Sequence, residues 1–157
     1  MARYNPAVVK WIALIAVLAD LALMCSVLFE FTEGTRGFVI DYRLNWIPSF
    51  GISFHLALDG LAAILLALTF FLGAIAVLCS WKEIEERIGF YYFNLLFTLA
   101  GFCGVFIAMD LFLFYFFWEV MIVPMFFLIA IWGGERRKYA AYKFFIFTQA
   151  GGLLMLL

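Results

Sequence analysis

The chain has 157 residues, 68% of them hydrophobic and 21% aromatic, with only 13% charged and a net charge of −1. A water-soluble domain is nearer half apolar and a quarter charged, so this composition excludes that class and points to an integral membrane protein in a lipid bilayer. No basic patch is present, which argues against nucleic acid as a partner.

Met1 to Lys10 is weakly basic and precedes an apolar run, as in a signal peptide. No small-residue cleavage pattern follows and further apolar runs do, so the first run is expected to stay as a helix near residues 11–29. Asp20 lies near its middle, with Ala16, Ala19 and Ala22 around it. Small neighbours would let the acid face another helix, hydrogen-bonded or neutral.

A polar stretch follows. Phe38, Ile40, Tyr42, Leu44 and Trp46 alternate with Val39, Asp41, Arg43 and Asn45. Ile52, Phe54, Leu56 and Leu58 then alternate with Ser53, His55, Ala57 and Asp59, and Pro48, Ser49 and Gly51 supply turn chemistry between. A period of two predicts strands, hence a β-hairpin over 37–58 lying on the membrane face. His55, the one histidine, falls on its polar side and reads as a solvated or hydrogen-bonded residue.

The second helix is expected near 59–80, with Asp59 capping its start and Ala63, Ala67 and Ala74 marking a packing face. Residues 81–88 (WKEIEERI) form a charged connection in which Glu83 and Arg87, four apart, would pair on a helical turn. A solvated interfacial segment is the plain reading of Glu83; collecting protons is the sharper one. The third helix, near 89–109, repeats small residues at Ala100, Gly104 and Ala108. Asp110 then separates it from the fourth almost without a loop, and is expected to cap it.

The fourth helix, 111–132 (LFLFYFFWEVMIVPMFFLIAIW), organises the rest. It is long enough to span a bilayer and holds one ionisable residue, Glu119. At ~1.5 Å per residue, Glu119 lies roughly 12 Å from one end and roughly 20 Å from the other. A charge at such depth costs on the order of 2.5–3.5 kcal/mol on insertion scales. Tyr115 shares its face one turn earlier, Ile122 and Val123 follow one turn later, and Pro124 frees the carbonyl of Val120. After a basic loop (GGERRK), a fifth helix is expected near 139–157, with Lys143 either snorkelling to the interface or facing the bundle, and Thr148 and Gln149 further on.

Cys25, Cys79 and Cys103 each lie in an apolar run with no CxxC or Cys/His spacing. They read as buried structural thiols, with neither a metal site nor a disulfide framework. Counting Lys and Arg between helices places Arg3, Lys10, Lys82, Arg87, Arg136, Arg137 and Lys138 on one side, against Arg36 and Arg43 on the other. The positive-inside rule then puts the amino terminus in the cytoplasm and the hairpin outside. From the residues alone, Glu119 is either a proton or cation carrier or a structural acid.

The stretches FGISFHLALDG, VLCSWKEIEERIGF, AMDLFLFYFFWEVMIVPMFFLIAIWG and YKFFIFTQAGGLLML resemble the M-chain (chain four) family of bacterial NADH:quinone oxidoreductase, respiratory complex I. The resemblance covers nearly everything from Trp11 onward. It implies an all-α, antiporter-like membrane subunit with inverted repeats and broken helices, seated among other membrane-arm subunits in the cell inner membrane. It implies Glu119 as the central proton carrier, with Lys143 and, more weakly, Glu83 as secondary participants. It further implies no cofactor on this chain, since NADH, flavin, iron–sulfur clusters and quinone belong to other subunits. The family continues for many more helices, including lysines that pair with the glutamate, so the chain is expected to be an amino-terminal fragment of about five transmembrane helices with an external hairpin. A multisubunit Na⁺/H⁺ antiporter chain and a non-catalytic assembly element are the alternatives.

Overall fold

The computed structural model describes residues 5–32 and 37–156. Among them the order is α1 (Pro6–Thr32), β1 (Ile40–Ile47), β2 (Ile52–Leu58), α2 (Gly60–Glu83), α3 (Ile88–Ile107), α4 (Leu111–Trp132) and α5 (Arg137–Leu156). Four of these helices, α1 to α4, are long and apolar enough to cross a membrane. The five expected helices are all present, and α5 is the least apolar of them because it carries Arg137, Lys138, Lys143 and Gln149. Arg3 and Arg36, used in the charge count, and Leu157, the expected end of the fifth helix, lie outside the described residues.

α2 runs a turn beyond its expected end because its last residues have partners on α1. Lys10 Nζ donates to the carbonyl of Trp81 at 2.5 Å, and the Trp11 and Trp81 rings meet edge to face at 5.2 Å. The expected Glu83–Arg87 turn does not form. Ile84 leaves the helix in an extended conformation and is buried, and Arg87 starts α3 with a left-handed φ of 51°. Burying Ile84 breaks the helical spacing that would have faced the two charges, and among the described residues they make no ion pair.

The core lies between α1, α2 and α3, around Val17, Ala63, Leu66, Phe70, Val77, Tyr92 and Leu99. Its buried polar side chains are satisfied locally: Ser80 Oγ lies 3.2 Å from the Tyr92 hydroxyl, Asn94 Nδ2 donates to the Phe90 carbonyl and Thr98 Oγ1 to that of Asn94. Large apolar residues such as Ile15, Leu61, Phe93 and Phe116 are exposed on the outside of the bundle. Lipid is as apolar as a core, so an apolar run does not report which of its positions are buried. For this reason the thiol reading needs correction: Cys25 and Cys79 are exposed and Cys103 half-buried, all three unpaired. Asp20 is exposed on α1, on the side from which it acts electrostatically on Cys103 of α3.

α3 and α4 form the expected tight antiparallel pair, though on a shifted seam. Ala100 is exposed, and the closest approaches are made by Gly101 against Met121 and Gly104 against the Phe117 ring. A side chain at Gly101 would place its Cβ 2.5 Å from that of Met121.

Asp59 caps α2 through the Ala62 N–H, and Asp110 caps α4 through those of Phe112 (2.9 Å) and Leu113 (3.4 Å). Asp110 does more than cap. Its second oxygen accepts from the N–H (3.0 Å) and the hydroxyl (3.4 Å) of Ser53 on β2, while the Met109 N–H donates to the His55 carbonyl at 2.9 Å. The hairpin is thus fastened to the α3–α4 turn. Partial burial pushes the Asp110 carboxyl up, but the bonds from Ser53, Leu113 and Phe112 together outweigh it and hold it below the ordinary aspartate range.

Antiparallel pairing runs from Ile40 opposite Leu58 to Ile47 opposite Ile52, with a bulge near Trp46. The alternating pattern did not say which face packs. The small positions Ser53 and Ala57 are buried, whereas Tyr42 and Leu44 are about half exposed. Only a face of small side chains lets β2 approach the backbone of the turn closely enough to share hydrogen bonds with it. His55 pairs with Asp41 across the hairpin at 2.8 Å.

Candidate functional site

α4 runs unbroken from Leu111 to Trp132 with Pro124 buried inside it. It is held on one side by α3 through Phe90 and Tyr91, which pack on Phe127 and Trp132, and on the other by α5, where Phe126 meets Tyr142 and Phe145. Glu119 lies on α4 about two turns before these contacts. The side chain is half-buried, and its Oε1 is fully enclosed without a hydrogen-bond partner. The Tyr115 hydroxyl, one turn earlier, donates to the Glu119 carboxyl, as the shared face predicts. Of the two residues expected one turn later, Ile122 is buried and Val123 exposed.

α5 reaches this carboxyl through a glycine. A Cβ on Gly152 would lie 3.1 Å from Tyr115 Cε2, 3.4 Å from Trp118 Nε1 and 3.6 Å from Glu119 Oε1. Gly152 is buried, and Gln149, three residues earlier and so on the same helix face, has its own Oε1 buried without a partner. Trp118 Nε1 is the third such atom. Among the described residues, the buried side-chain polar atoms left without a partner are these three. All three belong to α4 and α5.

The other expected site residues lie apart from Glu119. Lys143 is exposed on α5 with its Nζ 5.9 Å from the centre of the Phe147 ring. It is nine residues from Gly152, roughly 13 Å along the helix. Glu83 is exposed at the end of α2, beyond the core. Neither touches the Glu119 carboxyl. Trp118 and Gln149 were missed as site residues; the available signal was an amide placed in an apolar run three residues before a glycine. Among the described residues no group of three or more His, Cys, Asp or Glu is clustered as metal ligands would be.

Residues 108–157 match the family described as "NADH:quinone oxidoreductase/Mrp antiporter, TM". The chain is similar to NADH-quinone oxidoreductase subunit M of Escherichia coli K12, at 49% identity over 166 residues that cover 99% of this chain and 33% of that protein. It is 50% identical to the subunit M of Pseudomonas aeruginosa over 160 residues, covering 94% of this chain and 31% of that one. The chain therefore spans about a third of the length of these curated relatives. In fold it resembles the Mrp complex from Dietzia sp. DQ12-45-1b, with a TM-score of 0.72 at 23% identity over 96% of this chain and 17% of that one. It also resembles the membrane-bound sulfane sulfur reductase, an archaeal respiratory membrane complex, with a TM-score of 0.76 at 26% identity, over 99% of this chain and 24% of that one.

Proposed function

We propose, from its likeness to the subunit M proteins and the family match over residues 108–157, that the chain is the glutamate-bearing part of a membrane-arm subunit of proton-translocating NADH:quinone oxidoreductase. Glu119 is the proton carrier. The reading is supported above all by one enclosed carboxyl oxygen, Oε1, deep in the apolar run of α4 and without a hydrogen-bond partner. A single ionisable group kept inside an apolar span is costly and is usually retained for function, and a carboxyl is a group able to carry a proton. The quinone-linked reading is preferred to a Na⁺/H⁺ antiporter chain because identity to the subunit M proteins is about twice that to the Mrp structure.

Lys143 and Glu83 take secondary parts. Lys143 acts on Glu119 across the length of α5 rather than by contact, and Glu83 gathers protons at the end of α2. Redox cofactors reside on other subunits, and the assembly sits in the inner membrane with the amino terminus cytoplasmic. The test is Glu119→Gln in the full-length subunit within its complex. NADH-driven proton pumping should fall to a small fraction of wild type while assembly is retained; pumping at the wild-type rate would overturn the assignment.

A further inference from the structure

We propose that Trp118, Glu119 and Gln149 enclose a seat for one water molecule between α4 and α5, with Gly152 as its wall. Each of the three side chains brings a buried polar atom without a protein partner, namely Nε1, Oε1 and Oε1. Two of these atoms converge on one point beside Gly152, within 3.4 and 3.6 Å of where its Cβ would stand. Gln149 shares the helix face that Gly152 presents to α4.

The donor and acceptor count fits water and little else. The indole N–H only donates, while an ionised carboxylate oxygen and an amide oxygen only accept. A single water accepts from Trp118 and gives one hydrogen to Glu119 and one to Gln149, the three bonds usual for a buried water. The atoms are already closed off by this chain, so no further helix reaches them without displacing α4 or α5. Water also serves both states of the carboxyl: when Glu119 is protonated, its O–H donates to the second lone pair of the same water. A fixed ammonium group has no lone pair to accept it.

The seat stands on geometry alone, and only its use rests on the proton-carrier reading. In that use the water holds the Glu119 carboxyl in place in both states, accepting its O–H hydrogen bond when it is protonated and donating to Oε1 when it is ionised. Gln149 and Trp118 are then positioning residues, and neither helix need move.

The experiment uses the full-length subunit in its native complex. A high-resolution density map should show a water within hydrogen-bond distance of Trp118 Nε1, Glu119 Oε1 and Gln149 Oε1. The density should vanish in Gln149→Leu and Gly152→Ala, the second of which fills the seat without removing a polar group. Both variants should slow pumping about tenfold and shift its pH profile, whereas Gly151→Ala, whose added methyl meets nothing within 4 Å, should leave both unchanged. A map with the Gln149 amide turned to donate directly to Glu119, or with no density between the three atoms, overturns the seat. A seated water combined with wild-type pumping in Glu119→Gln retains the seat and removes the proton-carrier reading.

Discussion

Replacing Gly101 by alanine tests the account of how α3 holds α4. The new Cβ would sit 2.5 Å from Met121 Cβ and 3.1 Å from Met121 Cα. Carbon atoms rest at about 3.5–4.0 Å, so the helices must part by about 1 Å at this level. The obstacle is backbone and the first side-chain atom, which no rotamer change removes. Overpacking of this kind costs about 1–3 kcal/mol. Alanine also favours a helix over glycine by about 1 kcal/mol, which hides part of the effect. Gly151→Ala supplies the correction, since it takes the same propensity gain on α5 and meets nothing within 4 Å. The difference between the two variants therefore isolates the contact. At about 2–4 °C per kcal/mol for a chain of this size, Gly101→Ala should melt roughly 2–12 °C below Gly151→Ala. Thermal unfolding of the detergent-purified proteins, followed by circular dichroism, reads this directly. Equal melting temperatures would refute the close α3–α4 approach.

Asp110 fastens the hairpin only while ionised. Its carboxyl titrates below the ordinary aspartate value of about 3.9, so the fastening is complete above that pH and is lost as pH falls through the lowered value. The protection of the Ser53 N–H, its exchange corrected for the intrinsic pH dependence of amides, should be high at neutral pH and fall at the acid end, and Asp110→Asn should abolish that change. For Lys143, a charge roughly 13 Å from the site is worth at most about 1.3 kcal/mol at an effective dielectric of 20, and less when exposed. Lys143→Gln should thus move the pumping pH profile by less than about one unit, whereas contact between the groups would give a much larger shift. Tyr92→Phe removes the buried contact with Ser80 at 3.2 Å and should lower stability by about 1 kcal/mol in the same melts.

Where a signal was local, it could be read directly. The bounds of α4 were given by Asp110 on one side and Gly133 on the other, and both capping aspartates do cap. Strand alternation located the hairpin, and the position of Glu119 in its run singled it out as the candidate. What escaped depended on neighbours in space. An apolar helix position faces core or lipid with the same side chain, so Cys25, Cys79 and Ala100 were placed inside when they are outside. The Glu83–Arg87 spacing suits a helix that the burial of Ile84 interrupts. Ser53 carries no sign in the sequence that it will meet Asp110, 57 residues later. Trp118 and Gln149 become meaningful only once Gly152 brings α5 against α4.

The claim that matters most is that the Glu119 carboxyl exchanges its proton during work. Infrared difference spectroscopy on the intact complex, comparing resting and NADH-driven states, follows that proton directly. The account predicts a carboxylic acid C=O band that changes with turnover and is missing in Glu119→Gln. A Glu119 band that stays constant while the complex pumps would contradict it.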